Sequence, residues 1–146
     1  MQDADETCSP DHGFCIAERL RMLSRVITSV YNEAFAAEGI TFVQARLLMQ
    51  IAAQPGIRQV TLSKRLQIEK SALSRDVQLL QRKSWLADSI RTGLVLTDSG
   101  ARVAGRCQVI WRALHERVEQ QLGAETVQSL DQISRQIFNL KSTHSF

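Results

Sequence analysis

The amino-acid sequence predicts a mainly α-helical fold for this chain of 146 residues. Leu, Ala, Gln and Arg are the commonest residues, and they favour helices, as does Glu. Apolar residues recur at steps of three and four over long stretches, which is the spacing of one face of a helix. Because the chain holds two prolines and seven glycines, it has little room for long loops or for an all-β fold.

The length and composition limit the classes of protein to which the chain can belong. With 44% hydrophobic and 23% charged residues, the chain fits one globular domain with a substantial core. It has no run of about 18 apolar residues, which excludes a membrane span, and its acidic beginning lacks a secretory pattern. Three cysteines, an odd number, argue against a disulfide framework. We therefore expect a cytoplasmic protein with no membrane partner.

The first third of the chain predicts a polar tail and two helices. Residues 1–12 are charged and hold little that could be buried, so we expect a flexible N-terminal tail. An apolar stripe predicts a long helix from Phe14 to Ala37, and Gly39 supplies its stop. Thr41 is a good N-cap for a second helix, Phe42 to Ala53, which a Gln-Pro-Gly sequence ends.

The centre of the chain predicts two short helices joined by a tight turn. Gln59 and Val60 are expected to form a single short strand. Thr61 then caps the first of these helices, Leu62 to Leu66, and the second runs from about Lys70 to Lys83.

The last part of the chain predicts a hairpin and two further helices. Brief strands from Trp85 to Asp88 and from Leu94 to Leu96 flank a turn, and a hairpin in this place is a wing. Thr97 is expected to cap a long helix that ends at Gln121, and a last helix covers Glu125 to Leu140. The predicted fold is thus mainly α, a winged helix-turn-helix with long terminal helices and a short β-hairpin wing.

The second helix of the central pair carries a polar, basic face. Its outward side chains are Lys70, Ser71, Ser74, Arg75, Gln78 and Arg82, and the apolar residues Leu73, Val77 and Leu80 lie opposite. A short helix with hydroxyl, amide and guanidinium groups on one face suits the DNA major groove. We call it the reading helix.

Four residues of this face are candidates for base contacts: Ser71, Ser74, Arg75 and Gln78. Arginine suits guanine and glutamine suits adenine in the major groove. The alternative is that Arg75 binds a phosphate or pairs with Asp76 or another neighbour. Phosphate contacts, which position a protein without specifying a sequence, are expected from Lys64, Arg65, Lys70 and Arg82.

The charge of the chain is unevenly placed. From Arg58 to Arg91 there are eight basic and three acidic residues, a net charge of +5, which leaves −2 for the rest of a chain whose total is +3. Such a concentration is the footprint of a phosphate-binding surface. The alternative is an ordinary solvated face.

With these elements in place, the sequence resembles the MarR family of winged helix-turn-helix transcription regulators. The reading helix is similar to the family pattern of an acidic residue, a Ser-x-x-Ser-Arg core and a leucine, here Glu69, Ser71, Ser74, Arg75 and Leu80. The sequence LVLTDSG, Leu94 to Gly100, resembles the family's strand into a Leu-Thr-x-x-Gly helix start. Helix order and length agree over about residues 14–142.

The resemblance implies a homodimer. Residues 13–40 and 101–146 would form the helical dimerisation region, and residues 41–100 the DNA-binding winged-helix region. The broad apolar stripes of the long helices, with Trp111 beside one of them, point the same way, because a monomer would expose them. Two-fold symmetry then implies a pseudo-palindromic operator of double-stranded DNA.

The sequence departs from the family pattern at two places. Ser84 stands where the family usually has a glycine, which tolerates a left-handed helix cap at little cost. The wing is also shorter than the family's, whose tip carries an acidic residue and an arginine that enters the minor groove. Asp88 and Arg91 are the residues that could take those parts, with Arg91 also a possible phosphate contact.

The function that the resemblance implies is a repressor released by a small ligand or by an oxidant. Family relatives bind small, often aromatic ligands, and the candidates to line such a pocket are Met22, Tyr31, Phe35 and Phe42, with plain core packing as the alternative. An oxidant would act at Cys15, near the start of the first helix, where a helix N-terminus can lower a thiol pKa. Burial beside Phe14 and Ile16 is the alternative.

Two further functions stay open. The fold, with its short wing, could serve as a protein-interaction module or a DNA binder of low specificity, or it could be a thiol-based redox sensor through Cys15. Cys8, His12 and Cys15 have the spacing of a metal cluster but lack a clear fourth ligand, so we expect no metal or cofactor. Cys107 is expected in the core and His115 on a solvent-facing helix surface. No catalytic constellation is visible, so an enzyme is not expected.

Overall fold

A computed structural model describes residues 15–87 and 93–143 of the chain. Within them it has six α-helices: α1 (Ile16–Phe35), α2 (Phe42–Ala53), α3 (Gln59–Leu66), α4 (Lys70–Arg82), α5 (Asp98–Leu122) and α6 (Ala124–Thr143). A short 3-10 helix, Ala36–Glu38, continues α1. The mainly helical fold is confirmed, and α4 is the reading helix.

Local sequence signals set several helix ends as predicted. The Thr41 hydroxyl accepts a hydrogen bond from the Gln44 amide at 3.2 Å and begins α2. The Thr97 hydroxyl does the same for the Gly100 amide at 3.1 Å and begins α5. Gly39, at φ +69°, ends the turn after α1. The two threonine hydroxyls bond to backbone amides that the start of a helix would otherwise leave without a partner. Gly39 has no side chain to oppose the left-handed turn.

The prediction was wrong at the start of α3. Gln59 and Val60 form no strand: they are the first residues of α3, whose N-cap is Arg58, and Thr61 lies inside the helix. The residue that pairs with the wing is Ile57, which bridges to Leu94 in antiparallel fashion. Ile57 is 2% exposed, whereas Val60 is 49% exposed, so burial of the apolar side chain decides which residue joins the sheet.

The core lies where α2 and α5 pack together, with α1 and the apolar face of α4 against them. Its fully buried side chains include Phe35, Leu47, Leu48, Ile51, Leu62, Leu73, Leu80 and Cys107. Leu73, Val77 and Leu80 are buried as the reading-helix pattern predicted, and the prediction that Cys107 belongs to the core is confirmed. The buried face of α4 therefore fixes which of its faces points outward.

The base of the predicted wing is present. Leu86 bridges to Leu96 in antiparallel fashion, and the Ala87 amide donates to the Val95 carbonyl at 2.9 Å. The tip, residues 88–92, lies outside the described residues, and with it the predicted parts of Asp88 and Arg91.

Two of the long helices leave apolar surface uncovered in the single chain. Large exposed apolar residues on α1 are Ile16, Leu20, Leu23, Val26, Ile27 and Val30, and those on α6 are Leu130, Ile133, Ile137, Phe138 and Leu140. In the described part of the chain, no residue of α6 is buried. None of the described helices is long and apolar enough to span a lipid bilayer.

Candidate nucleic-acid interface

The turn between α3 and α4 holds the reading helix at a fixed angle to its partner. Gln67 ends α3 in the left-handed conformation, at φ +54°. The Ser63 hydroxyl, which is buried, donates a hydrogen bond of 2.6 Å to the Ile68 carbonyl inside the turn. Glu69 is the N-cap of α4, as the helix begins at Lys70. This is a helix-turn-helix unit with a buried polar bond at its corner.

The outward face of α4 presents the predicted base-reading side chains to solvent. Ser71, Arg75 and Gln78 are exposed, and Ser74 is half-buried between them. The Arg75 Nε atom donates to the Ser71 carbonyl at 3.4 Å, which is long for a hydrogen bond and leaves the rest of the guanidinium outward. Asp76 accepts instead from Gln44 on the opposite flank.

The basic residues around this face fall into two groups. Lys64, Lys70 and Arg82 are exposed, at the end of α3 and at the two ends of α4. Arg65 is also exposed, but its guanidinium donates to the Gln50 Oε1 atom at 3.2 Å and to the Gln54 Oε1 atom at 3.0 Å. Arg65 thus ties α3 to the end of α2, and a phosphate would compete with those two amides for it.

The reading helix is fixed at its C-terminal end by the start of α5. Ser84 lies in the left-handed region, at φ +59°, and the Trp85 amide donates back to the Leu80 carbonyl at 3.0 Å. The Thr97 hydroxyl donates to the Ser84 carbonyl at 2.6 Å. A Cβ atom on Gly100 would stand 2.0 Å from the Trp85 carbonyl oxygen. The Leu-Thr-x-x-Gly sequence therefore joins α5 to the end of α4, and Gly100 permits the close approach.

The helix-turn-helix region is similar to that of known proteins. Residues 38–92 match the family model described as the MarR family. The multiple antibiotic resistance protein MarR of Escherichia coli K12 is 26% identical over 125 residues, which cover 81% of this chain and 87% of that protein. Over these residues the chain is similar to the MarR family. Its fold is accordingly of the winged helix-turn-helix type.

Two solved structures of DNA-bound or ligand-bound proteins share the fold. The Staphylococcus aureus MepR–DNA complex matches with a TM-score of 0.71 at 22% identity, over 91% of this chain and 99% of that one. The transcriptional repressor CouR bound to p-coumaroyl-CoA matches with a TM-score of 0.74 at 20% identity, over 86% of this chain and 92% of that one.

The aromatic residues predicted to line a ligand pocket form a packed cluster in this chain. The Tyr31 and Phe42 rings have centroids 4.6 Å apart, and the Phe35 and Phe42 centroids are 6.0 Å apart. Tyr31 and Phe35 are buried, whereas Met22 is half-buried two to three turns earlier on α1. These contacts favour the core-packing alternative, and a ligand role for the four residues stays a prediction.

The prediction that His115 faces solvent is right in part: 39% of its side chain is exposed, but its ring also has partners in the fold. His115 is half-buried: its Nδ1 atom lies 3.4 Å from the Tyr31 hydroxyl, its Nε2 atom 3.2 Å from Glu119, and its ring stacks on Trp111 at 4.7 Å. Burial, then the Glu119 carboxylate, raise the pKa of Tyr31 above its ordinary value of 10.0, against a smaller lowering by Arg46. Helical spacing missed this pairing because its partner is on another helix, 84 residues away.

The predicted redox residue is accessible. Cys15 is exposed at the N-cap of α1, so the burial alternative is wrong. Its backbone amide donates to the Glu18 carboxylate at 3.3 Å, which places a negative charge at the same helix end. Cys8 and His12 of the considered metal cluster lie outside the described residues, and among those described no group of three metal-ligating side chains occurs.

Proposed function

We propose that the chain is a homodimeric repressor that reads a pseudo-palindromic DNA operator through the outward face of α4. The observation that carries this proposal is the division of α4 into two faces: Leu73, Val77 and Leu80 are buried, while Ser71, Arg75 and Gln78 are exposed. An exposed helix face of hydroxyl, guanidinium and amide groups matches the donors and acceptors of the major groove. The MepR–DNA complex, which shares the fold, supports the same use of it.

In this proposal the residues of the interface take separate tasks. Ser71, Ser74, Arg75 and Gln78 contact bases, with Arg75 directed at guanine and Gln78 at adenine. Lys64, Lys70 and Arg82, which flank that face, bind phosphates and set the register. Arg65, once freed from its amide partners, and Arg91, which the sequence predicts in the wing, are further phosphate contacts.

The proposed dimer rests on the uncovered surfaces of α1 and α6. Both helices expose several large apolar side chains each, among them Val26, at 59% exposed, and Phe138, also at 59%. Single exposed apolar residues are normal on a protein surface, but contiguous stripes of them indicate an interface. We assign residues 13–40 and 101–146 to dimerisation and residues 41–100 to DNA binding.

Two-fold symmetry sets the geometry of the proposed complex. Two copies of α4 would lie about 34 Å apart, one turn of DNA, and so enter successive major grooves on one side of the duplex. Because α1 belongs to the dimerisation region and packs on α2 and α5, a shift in the dimer would change that spacing. A small ligand that prefers a dimer whose two α4 helices lie farther apart, or closer together, than one turn of DNA would then release the DNA.

The chemistry of that ligand is proposed from the aromatic cluster. CouR, which shares the fold, has been seen bound to p-coumaroyl-CoA, an aromatic thioester. Here Phe42 stands between Tyr31 and Phe35, and the Arg46 guanidinium lies over its ring at 5.8 Å. An aromatic ligand inserted beside Phe42 would meet rings on one side and a cation on the other.

Fluorescence anisotropy with the duplex upstream of the chain's own gene tests the proposal. We expect tight binding that weakens steeply with salt, because phosphate contacts release counterions. Arg75→Ala should cost about 1–3 kcal/mol of binding free energy for the operator. Arg117→Ala is the matched control: it removes the same charge from an exposed residue of α5, about 30 Å along that helix from Thr97.

Two results would overturn the proposal. Absence of binding to that duplex, and to a library of random duplexes, at low salt would favour a protein-interaction module instead. A monomer in sedimentation at micromolar concentration would contradict the dimer.

A further inference from the structure

A polar contact between two helices lies on the flank of the reading helix. The Gln44 Nε2 atom, on α2, donates a hydrogen bond of 2.9 Å to the Asp76 Oδ1 atom, on α4, 32 residues further along the chain. Gln44 is 8% exposed, so its amide has little access to water. A hydrogen bond between a buried amide and a carboxylate is stronger than one between neutral groups, and it is costly to break on one side.

Gln44 is held in place by its other atoms. Its Oε1 atom accepts from the Thr41 backbone amide at 3.1 Å, and its own backbone amide donates to the Thr41 hydroxyl at 3.2 Å. These two bonds form a capping box, which fixes the glutamine side chain relative to the axis of α2. The donor that meets Asp76 therefore has a defined position.

The same end of α2 is bonded to α1. The Phe42 amide donates to the Asn32 Oδ1 atom at 2.8 Å, and the Phe42 ring packs on Tyr31. The first turn of α2 is thus linked by side-chain hydrogen bonds to α1 on one side and to α4 on the other.

Asp76 lies beside the proposed base-reading face. It directly follows Arg75 in α4, and one residue along a helix is a rotation of about 100°. The apolar face of α4 fixes which side of the helix points outward, but hydrophobic contact is non-directional and leaves small rotations about the helix axis open. A directional bond at Asp76 restricts the rotation of α4 about its axis, and thereby the direction in which Arg75 and Gln78 point.

We propose that Gln44 is a positioning residue for DNA reading: through its bond to Asp76 it sets the rotation of the reading helix and so the sequence specificity of the complex. This inference rests on the proposed function, because it presumes that α4 reads bases. It assigns Gln44 no contact with DNA.

The test reverses the direction of the hydrogen bond. Gln44→Glu keeps an acceptor for the Thr41 amide but sets a carboxylate against Asp76, so the bond is lost. Gln44→Glu with Asp76→Asn restores a donor and an acceptor with their roles exchanged, and the net charge of the pair returns to that of the wild type. Asp76→Ala removes the bond while leaving the capping box intact.

Affinity is measured for the best duplex selected by the wild type from a random library and for a scrambled duplex, at one salt concentration. The quantity compared is the dissociation constant for the scrambled duplex divided by the dissociation constant for the selected duplex. We expect Gln44→Glu and Asp76→Ala to lower this ratio about tenfold or more, and the double variant to return it to within about threefold of the wild type, tenfold being about 1.4 kcal/mol.

The outcomes separate the two proposals. If the wild type selects no duplex, the proposed function fails and this inference falls with it. If the wild type is specific but both single variants keep its ratio, or the double variant stays as low as they are, the positioning role is overturned while the proposed function stands. Circular dichroism before each titration confirms that a variant is folded. If Gln44→Glu does not fold, the specificity ratio of Asp76→Ala decides whether the positioning role holds.

Discussion

The carbonyl oxygen of Trp85 lies 2.0 Å from the point where a Cβ atom on Gly100 would stand. This close approach joins the end of the reading helix to the beginning of α5, where the Thr97 amide also donates to the Trp85 carbonyl at 3.0 Å. The glycine of the Leu-Thr-x-x-Gly sequence thus has a packing reason as well as a place in a family pattern. Its lack of a side chain lets two backbones meet.

Gly100→Ala should therefore destabilise the protein. The added methyl group meets backbone atoms that cannot turn away, so we expect a loss of about 1–3 kcal/mol in the free energy of unfolding. Gly105→Ala is the matched control on the same helix, because among the described residues no atom lies within 4 Å of its added Cβ. There the substitution should stabilise by about 0.5–1 kcal/mol, since alanine favours a helix interior.

Urea titration at one fixed protein concentration measures both changes, because the stability of a dimer depends on concentration. Equal effects of the two substitutions would contradict the close approach at Gly100.

A second prediction concerns Ser84, which holds a left-handed conformation at φ +59° after α4. This region costs a residue with a Cβ atom roughly 1–2 kcal/mol, whereas glycine enters it freely. Ser84→Gly should therefore raise the free energy of unfolding by about 1 kcal/mol, despite the greater freedom of glycine in the unfolded chain. Thermal unfolding followed by circular dichroism checks the sign.

Ser129→Gly provides the control for that measurement. Ser129 is exposed inside α6, where its hydroxyl donates to the Glu125 carbonyl at 2.8 Å. The same substitution there should lower stability by roughly 0.5–1 kcal/mol, because glycine weakens a helix interior. If both variants are less stable than the wild type, the left-handed strain at Ser84 is not a net cost.

How far the sequence predicts this fold depends on whether a signal is local. Thr41, followed thirteen residues later by Gln-Pro-Gly, marks both ends of α2, and the structure has the predicted bounds. The start of α3 was missed because its N-cap, Arg58, offers no side chain that caps a helix, whereas Thr61 resembles one. The left-handed position of Ser84 was expected only from the resemblance, whose pattern usually has a glycine there.

The sequence predicted the outward face of the candidate site but not the hydrogen bonds on its flanks. Helical spacing placed Ser71, Arg75 and Gln78 together, and the structure exposes all three. The bond from Gln44 to Asp76 joins residues 32 apart, and no periodicity within one helix reports it. Contacts between helices depend on how the helices cross, which a single sequence does not state.

A third prediction follows from Cys107. Burial raises the pKa of the Cys107 thiol from 9.0 to about 11, with a further rise from Glu38 that Arg106 partly offsets. Between pH 9 and pH 11 the unfolded chain has lost a proton that the folded chain still holds. The free energy of unfolding therefore falls as the pH rises through this window, and the contribution of the thiol is fully present below pH 9.

Cys107→Ala isolates this effect from other groups that titrate at high pH. Under a reducing agent, the stability of the wild type should fall more steeply between pH 9 and pH 11 than that of the variant, by up to about 2–3 kcal/mol in all. Parallel curves would show that the thiol does not resist ionisation in the folded state.

The last prediction separates the two described cysteines as targets of an oxidant. Cys15 is exposed at the start of α1, whereas Cys107 is fully buried, and only an accessible thiolate reacts readily. In a Cys8→Ser background, a thiol reagent should modify Cys15 at once and Cys107 at the rate at which the core opens.

If oxidation at Cys15 regulates the protein, peroxide should release DNA from the Cys8→Ser protein but not from the same protein with Cys15→Ser. Identical release from the two proteins would exclude Cys15 as the sensor. Unchanged binding by both would leave ligand binding as the proposed route of release.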